Sequence, residues 1–328
     1  MVTVLVTGGA GYIGSHTCKE LARAGYSPVV FDNLSEGHRW AARYGPLIEG
    51  ELADTDLVRE TLLSTRAEAV IHFAANAYVG ESIQNPQKYF RNNVGGTISL
   101  LDAVRAAGVP RLVFSSTCAT YGCPDRIPID EDHKQDPVNP YGASKLFVEQ
   151  MLRWNAAAHG LRYVALRYFN AAGADAELEL GEVHNPETHL IPIAIRAALG
   201  VGPRLEIFGT DYPTADGTAI RDYVHVTDLA RAHVAALRYL EADQASAAFN
   251  LGTGFGVSVR EVIDRVEAVS QKPVPRHEGP RRVGDPVELV ADARRARSIL
   301  GWEPQCSDLA TIVQTAWRWH STHERHNG

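Results

Sequence analysis

The stretch VTVLVTGGAGYIG, residues Val2–Gly14, decides the fold of this chain. Its apolar, β-branched beginning is typical of a buried parallel strand, and glycines follow that strand at once. These glycines fit the pattern G-x-G-x-x-G and also G-x-x-G-x-x-G. We predict a helix from Tyr12 to Ala24, which places the glycines where a strand leads into a helix N-terminus. The free N–H groups at such a terminus can bind a pyrophosphate, so the stretch predicts a dinucleotide-binding unit.

A carboxylate stands at the end of the second predicted strand. Pro28–Phe31 is a short apolar run, and Asp32 follows it, eighteen residues after Gly14. At about this spacing a carboxylate binds the ribose hydroxyls of NAD and repels the 2′-phosphate of NADP. NAD is therefore predicted over NADP, although His38 and Arg39 could weaken the preference. An ordinary turn after a strand is the alternative interpretation.

Strands and amphipathic helices continue to alternate through the first half of the chain. We predict further strands at 47–48, 69–73, 111–114 and 162–168, and helices at 56–65, 86–107 and around Tyr141. This alternation is typical of a parallel sheet with helices on both faces. The predicted fold is therefore α/β, with a Rossmann-type doubly wound parallel sheet.

Several candidate site residues directly follow these strands. Ligands in a doubly wound sheet bind at the carboxyl ends of the strands. Asp32, residues Phe73–Ala75, residues Ser115–Thr117 and Asn170 are therefore expected along one edge of the sheet. This convergence favours a binding site over a set of unrelated polar residues.

The alternating pattern stops after Gly173, where a polar segment, ADAELE at 174–179, begins. We predict a dinucleotide-binding domain over residues 1–174 and a smaller α/β substrate-binding domain over residues 175–328. Helices are expected at 191–199, 227–240, 259–269 and 309–319. A strand at 248–251 is expected to return to the edge of the sheet.

Tyr141 and Lys145 form the candidate catalytic pair. They are four residues apart, so on a helix they project from the same face. A cation beside a phenol favours the phenolate, and we expect Lys145 to lower the pKa of Tyr141 towards neutrality. Tyr141 could then act as a general base. A bare YxxxK pattern is common, and only the glycine loop and the strand-end residues make this one significant.

Composition excludes several classes of partner. The chain has 328 residues and a net charge of −7, which argues against binding to nucleic acid or to a membrane surface. No apolar run approaches the ~20 residues that span a bilayer, and the first residues do not form a signal peptide pattern. The four cysteines are scattered without metal-binding spacing, which favours a cytoplasmic protein with reduced thiols and no metal.

Taken together, these motifs resemble the extended short-chain dehydrogenase/reductase superfamily and, within it, the UDP-glucose 4-epimerase family. The resemblance extends over nearly the whole chain, in blocks at 6–17, 31–34, 79–82, 92–97, 141–145, 167–170, 207–223 and 281–285. The first-half blocks belong to the superfamily as a whole. The blocks from 207 onward are much more specific to nucleotide-sugar epimerases.

The resemblance implies reversible epimerisation at C4 of a UDP-hexose, UDP-galactose or UDP-glucose, through a transient 4-keto sugar and tightly bound NAD. It implies that Tyr141 takes the proton of the sugar 4-hydroxyl and that Thr117 helps to relay it. Lys145 would hold the nicotinamide ribose. Family members also pair through the helices around 86–107 and 141–151, so a homodimer is expected.

The resemblance also implies two sets of binding residues. The cofactor-binding residues are Gly8, Gly11, Tyr12, Ile13, Gly14, Asp32, Asn33, Ser35, Glu51, Leu52, Phe73, Ala74, Ala75, Asn92, Ser115, Tyr141, Lys145 and Tyr168. The substrate-binding residues are Thr117, Tyr141, Asn170, His189, Leu190, Phe208, Arg221, Tyr223, Arg282, Asp285 and Leu289. Glu51 replaces the aspartate usual in relatives, and His189 replaces an asparagine found in some of them. Leu289 is smaller than the tyrosine of relatives confined to unmodified hexoses, which leads to the hypothesis that UDP-GlcNAc is also accepted.

Three other functions remain open at this point. The chain could be a 4-epimerase acting mainly on UDP-GlcNAc, a UDP-pentose or a UDP-uronate. It could be a sugar-nucleotide dehydratase or decarboxylase, but those relatives carry an acid where Cys118 stands. It could also be a catalytically silent NAD-sensing protein, although such proteins usually lose the tyrosine and lysine that are present here.

Overall fold

The computed structural model describes residues 1–282 and 284–323. Its strands, numbered along the chain, are β1 (Thr3–Thr7), β2 (Ser27–Asp32), β3 (Leu47–Glu49), β4 (Ala69–His72), β5 (Arg111–Thr117), β6 (Arg162–Tyr168), β7 (Asn170–Ala172), β8 (Leu205–Phe208), β9 (Ile220–Arg221), β10 (Tyr223–His225), β11 (Ala247–Leu251), β12 (Val257–Ser258), β13 (Arg276–Gly279) and β14 (Glu288–Leu289). Its α-helices are α1 (Tyr12–Arg23), α2 (Thr55–Thr65), α3 (Val79–Gln84), α4 (Pro86–Tyr89), α5 (Gly96–Ala107), α6 (Pro140–His159), α7 (Leu190–Leu199), α8 (Val226–Glu241), α9 (Val259–Ser270) and α10 (Leu309–His323).

A seven-stranded sheet with the order β3-β2-β1-β4-β5-β6-β11 forms the centre of the molecule. Every neighbouring pair in it is parallel. The order reverses between β1 and β4, which is the point where a doubly wound sheet opens a crevice for ligands. The predicted Rossmann-type α/β fold is confirmed.

Helices cover both faces of this sheet because its buried strands are apolar on both sides. Val4 and Val6 of β1 pack in a cluster with residues of α1 and α8. Leu5, between them, belongs to a second cluster with residues of α2, α5 and α6. This alternation follows from the two-residue period of a strand. The four-residue loop 8–11 then places the N-terminus of α1 beside the carboxyl end of β1.

The helix predicted at 86–107 is continuous but not regular. α4 and α5 are joined by a π-helical segment, Phe90–Gly95. Such segments insert one extra residue into a helix and occur frequently at functional sites. The sequence pattern gave no sign of it.

Two elements from the second half of the chain join the central sheet, whereas only one strand was predicted to do so. The predicted strand forms β11 and pairs with β6, as Phe249 lies opposite Leu166. α8 also packs on the sheet, beside α1, through residues such as Leu229 and Leu237. The division of the chain into domains at residue 174 stays a prediction.

A smaller α/β unit packs beyond the carboxyl ends of the strands. Its apolar cluster joins α7, α9 and α10 with β8, through residues that include Ile195, Val262 and Ile312. Three small sheets complete it: β8 with β13, β9 with β12 and β14, and β7 with β10. None of the described helices is long and apolar enough to cross a membrane.

Candidate active site

The glycine loop between β1 and α1 is tightly packed on one side and open on the other. A Cβ added at Gly14 would lie 2.2 Å from the Gly8 carbonyl oxygen, and one at Gly8 would lie 2.6 Å from the Ala74 nitrogen. Among the described residues, a Cβ at Gly11 would meet only the Gly8 oxygen, at 3.3 Å. Gly11 also caps α1 without a side-chain hydrogen bond. The loop therefore presents backbone to a free space at a helix N-terminus, as a pyrophosphate requires.

Asp32 lies at the end of β2 and is almost fully buried. Its two carboxylate oxygens accept hydrogen bonds from the backbone N–H groups of Ala10, at 2.9 Å, and Leu34, at 2.8 Å. Burial raises the pKa of this carboxyl group, although both hydrogen bonds act to lower it. Asp32 thus fixes the glycine loop, a structural task that its spacing in the sequence did not indicate.

Three of the predicted cofactor-binding residues contact one another. Asn33 Nδ2 donates to both carboxylate oxygens of Glu51, each at 3.1 Å. Ser35 donates through its N–H and its hydroxyl to Asn33 Oδ1, at 3.0 and 2.8 Å. The longer glutamate therefore still reaches the neighbourhood of Asn33, and Leu52 follows it against Gly96 of α5.

The loop after β4 is fixed by a residue that the sequence analysis missed. Phe73 and Ala74 N–H groups bond to the Thr7 carbonyl, at 2.9 and 3.1 Å, which places Phe73–Ala75 beside the glycine loop. Asn93, in the π-helical segment, accepts from the Asn76 N–H and donates to the Ser144 hydroxyl, both at 2.9 Å. The predicted Asn92 donates to Asn93 Oδ1 at 3.0 Å, and its contact with the cofactor stays a prediction. Two adjacent asparagines cannot be told apart by sequence alone.

Tyr141 and Lys145 lie in the first turns of α6. Asn139 caps that helix by accepting from the Gly142 N–H at 2.9 Å, and Pro140 occupies its first position. Both side chains are buried, and Lys145 Nζ donates to the Ser115 carbonyl oxygen at 2.8 Å. The same Nζ lies 6.0 Å from the centre of the Tyr141 ring. The predicted pair therefore faces the carboxyl end of β5.

The predicted shift of the Tyr141 pKa is wrong for the protein alone. Burial raises the pKa of Tyr141 well above its ordinary value, and the hydrogen bond with Thr117 only partly offsets this. Burial also lowers the pKa of Lys145 to about 7. The spacing of the two groups can be read from the sequence, but their desolvation, which disfavours the charged form of each, cannot.

Thr117 and Ser115 end β5 in front of Tyr141. Thr117 Oγ1 accepts from the Ala119 N–H at 3.1 Å, so its hydroxyl proton remains available to another acceptor. Ser115 Oγ and the Tyr168 hydroxyl are 2.5 Å apart, and burial raises the pKa of Tyr168 to about 12. These predicted residues therefore lie together at one strand end.

Behind them lies a buried ion pair that sequence reasoning did not single out. Arg167 of β6 and Glu149 of α6 are 5% and 4% exposed, and Arg167 Nη2 lies 2.6 Å from Glu149 Oε2. Arg167 Nε donates to Glu149 Oε1 at 3.0 Å, and the Ser116 hydroxyl donates to that oxygen at 2.5 Å. The pair joins α6, which carries Tyr141, to the two strands that carry Thr117 and Tyr168.

Five of the predicted substrate-binding residues meet around β9. Arg221 lies opposite Leu289 in the β9–β14 pairing, and Arg221 Nη2 donates to Asp285 Oδ1 at 2.5 Å. Tyr223 lies opposite Asn170 in the β10–β7 pairing. Leu289 also packs against the group of residues around β5 and β6 that consists of Cys118, Tyr121, Ile129, Phe169 and Ala291.

Asp222, between Arg221 and Tyr223, holds this region together. It is fully buried and accepts from the N–H groups of Thr253, at 2.9 Å, and Gly254, at 3.0 Å. Its own carbonyl oxygen accepts from Asn170 Nδ2 at 3.1 Å. Asp222 lies in the block at 207–223 that carries the family resemblance, but it is not among the predicted binding residues.

The remaining predicted substrate residues form two further groups. The Arg282 guanidinium lies 3.9 Å from the centre of the Phe208 ring. His189 precedes Leu190, the first residue of α7, and its Nδ1 lies 2.5 Å from Glu182 Oε1. Burial acts to lower the pKa of His189, but the Glu182 carboxylate outweighs it and raises the pKa to about 10.

Comparison with known proteins gives consistent matches over the whole chain. The model of the NAD dependent epimerase/dehydratase family matches residues 4–252. UDP-glucose 4-epimerase of Rhizobium meliloti (strain 1021) is 54% identical over 318 residues, covering 97% of each chain. The UDP-glucose 4-epimerase of Lacticaseibacillus casei is 48% identical, and 98% of each chain is covered.

Solved structures agree with these matches. The crystal structure of UDP-glucose 4-epimerase from Brucella ovis in complex with NAD is 55% identical, with a TM-score of 0.95 over 97% of this chain and 98% of that one. The Bifidobacterium longum enzyme in complex with NAD+ and UDP is 36% identical, with a TM-score of 0.94 over 98% of this chain and 99% of that one. The chain therefore belongs to the NAD dependent epimerase/dehydratase family.

Proposed function

We propose that this protein interconverts UDP-galactose and UDP-glucose by reversible inversion at C4 with tightly bound NAD. The observation that carries the proposal is the buried Tyr141–Lys145 pair, with Thr117, on the same sheet edge as the glycine loop. The names of relatives about 50% identical over the full chain favour a UDP-hexose over the other sugar nucleotides. Cys118, where a dehydratase would carry an acid, argues against elimination of water.

The residues of the crevice fit NAD. The loop leaves space over Gly11, where the pyrophosphate would lie at the start of α1. Asp32 retains free lone pairs beside its two backbone hydrogen bonds, so it can accept the ribose hydroxyls. When bound, NAD supplies a reversible hydride acceptor, which no amino-acid side chain provides.

Tyr141 holds and moves the proton of the reaction. Its phenolate would accept the proton of the sugar 4-hydroxyl, with the Thr117 hydroxyl bonded to the same oxygen, and later return it. Because burial raises the pKa of Tyr141, positive charge must be placed beside it. The Lys145 ammonium and the charge of an oxidised nicotinamide are the two sources, so the base would be activated only when the cofactor is bound.

Two arginines would bind the diphosphate of the substrate. A guanidinium fork matches phosphate oxygens two at a time. Arg221 is 13% exposed and paired with Asp285, while Arg282 lies over the Phe208 ring. Asn170, Tyr223 and the N-terminal end of α7 would complete this surface, with Asp285 accepting ribose hydroxyls.

The proposal is tested by two measurements on the purified, untagged protein. Protein prepared without added cofactor should release NAD, not NADP, on denaturation. It should also convert UDP-galactose to UDP-glucose without net oxidation or reduction. Absence of conversion by the NAD-loaded protein, or release of a keto sugar as the product, would contradict the proposal.

Replacing Lys145 with methionine is expected to shift the pH profile. Loss of the ammonium removes positive charge near Tyr141, so the phenol pKa rises and the acid limb of kcat/KM moves to higher pH. At pH 7 we expect a loss of about 10²-fold. The measurement is kcat/KM for UDP-galactose across the pH range with NAD in excess. Lys134→Met, at an exposed lysine, is the control, and an unmoved acid limb in Lys145→Met would contradict the assignment.

Leu289 is expected to leave room for an N-acetyl group. It packs against the cluster that contains Cys118, the residue after Thr117, and a tyrosine at this position would take up space next to the sugar. We expect the wild type to turn over UDP-GlcNAc and Leu289→Tyr to lose roughly 10–200-fold on that sugar while retaining UDP-galactose activity. Both sugars are assayed side by side, with Val201→Tyr as a control at an exposed loop. A wild-type rate on UDP-GlcNAc equal to background would contradict the hypothesis.

We also propose that the protein is a cytoplasmic homodimer. Ile98 of α5 and Phe147 and Trp154 of α6 are large apolar side chains that are 51%, 45% and 74% exposed, and these helices are the ones expected to pair. The four cysteines are free, as is usual in a reducing compartment. Sedimentation at micromolar concentration should give a species of twice the 35.8 kDa chain mass.

A further inference from the structure

The segment 182–189 brings together four side chains that can ligate a metal. Glu182, His184, Glu187 and His189 each place one carboxylate oxygen or imidazole nitrogen within 4.8 Å of the other three. The two carboxylate side chains are 3% and 5% exposed, so they are withdrawn from water. Burial of two carboxylates is costly unless positive charge accompanies them.

The spacing of these atoms resembles a coordination shell. Glu182 Oε1 lies 3.1 Å from His184 Nδ1 and 2.5 Å from His189 Nδ1. Glu187 lies 3.4 Å from His189 Nδ1 through its Oε1 and 3.9 Å from His184 Nδ1 through its Oε2. Ligands of a tetrahedral zinc ion, with bonds of ~2.0–2.2 Å, stand roughly 3.3 Å apart. Among the described residues, buried His184 Nδ1 has no hydrogen-bond partner despite its closeness to Glu182.

A second acidic cluster in the same molecule shows the contrast. Asp175, Glu177 and Glu179 surround Lys19 Nζ at 2.8, 2.8 and 2.7 Å, so that cluster contains its own cation. Within the described ranges, the only basic side chains that form ion pairs with Glu182 and Glu187 are histidines. Histidine can give up its proton and bind a metal instead.

The backbone of the segment is held from outside. Trp319 Nε1 of α10 donates to the Glu182 carbonyl at 3.2 Å, and His38 Nε2 lies 3.0 Å from the Val183 carbonyl oxygen. The His184 ring packs edge-on against the rings of Tyr12 and Tyr78, at 6.3 and 5.8 Å. The four ligand atoms are thus positioned in advance, beside the residue that begins α1.

We propose that Glu182, His184, Glu187 and His189 bind one divalent transition-metal ion of the zinc type. Imidazole nitrogens favour such ions, whereas Mg²⁺ and Ca²⁺ prefer sites made of oxygen alone. The ion replaces the imidazole protons and neutralises the two buried carboxylates. It closes the segment 182–189 on itself, beside Tyr12 of α1. His189 then serves as a metal ligand in place of the substrate contact that the resemblance implies for it. The inference does not depend on the proposed reaction, because its test measures metal binding.

The test is isothermal titration of the untagged full chain with ZnCl₂, together with Co²⁺ absorption spectroscopy. We expect saturable binding of one ion per chain and a Co²⁺ spectrum of nitrogen and oxygen ligands, without the near-ultraviolet band of a thiolate. His184→Gln and Glu187→Gln should each weaken binding roughly tenfold or more. Glu177→Gln, in the cluster neutralised by Lys19, is the matched control and should bind as the wild type does.

The outcomes distinguish a metal site from a cluster in which the histidines and glutamates only form hydrogen bonds and ion pairs with one another. Zinc should also raise the thermal midpoint of the wild type more than that of Glu187→Gln, since an ion bound only by the folded state stabilises it. No saturable zinc binding by the wild type would overturn the site. So would equal affinity in the wild type and in both ligand variants, with circular dichroism showing that the variants are folded.

Discussion

Tyr141→Phe is expected to lower kcat for UDP-galactose about a thousandfold while leaving bound NAD in place. The change removes only the hydroxyl oxygen from a side chain that is 9% exposed, so packing around α6 changes little. What is lost is the group that accepts the 4-hydroxyl proton beside Thr117. The measurement is kcat from coupled detection of UDP-glucose, with NAD content determined on the same sample.

The control for this experiment is Tyr239→Phe. Tyr239 donates its hydroxyl proton to the Ala245 carbonyl oxygen at 2.9 Å, far from the crevice along α8. Its loss should leave kcat unchanged. If Tyr141→Phe epimerised UDP-galactose at the rate of Tyr239→Phe, another group would have to take the proton, and the proposed mechanism would fail.

The features that could be predicted from the sequence are those that depend on residues close together along the chain. The glycine loop, Asp32 and the alternation of strands and helices are local signals, and the sheet formed from them has the predicted class. The return of α8 to the sheet beside α1 is a contact between segments about two hundred residues apart. The hydrophobic pattern within α8 shows that one face is buried, but it does not show whether that face packs on the central sheet or on the smaller unit.

The chemistry of the site also depends on contacts between distant segments that could not be predicted from the sequence. The four-residue spacing of Tyr141 and Lys145 correctly placed both on one side of α6, close to Ser115. Their pKa values, however, depend on burial by β5 and on Thr117, which are tertiary properties. The burial of Glu149 could not be predicted for a related reason. A glutamate in an amphipathic helix is usually exposed to solvent, and only the folded structure places Arg167 opposite it.

Glu149→Leu is expected to lower the free energy of unfolding by about 3–5 kcal/mol, the usual cost of removing one partner of a buried ion pair. It leaves the 5% exposed Arg167 guanidinium without its carboxylate and removes the acceptor of the Ser116 hydroxyl. Surface pairs contribute far less, so Arg126→Leu, which breaks the exposed pair with Asp130, should cost about 1 kcal/mol or less. The measurement is urea unfolding of each variant at the same excess of NAD, because bound cofactor adds to stability.

A double-mutant cycle decides whether the penalty belongs to the pair or to the lost side-chain volume. If the cost of Glu149→Leu is mainly that of an uncompensated charge, then Glu149→Leu with Arg167→Met should be more stable than the sum of the single losses predicts, since both charges are then absent. Arg167 also donates to the Tyr121 hydroxyl at 2.9 Å, to the Glu131 carbonyl at 3.2 Å and to Gln135 Oε1 at 3.1 Å. These bonds are lost in both Arg167→Met and the double variant, so they cancel in the coupling energy. Strictly additive losses would show that Arg167 is satisfied by Tyr121, Glu131 and Gln135 without Glu149. The ion pair would then not be what joins α6 to β5 and β6.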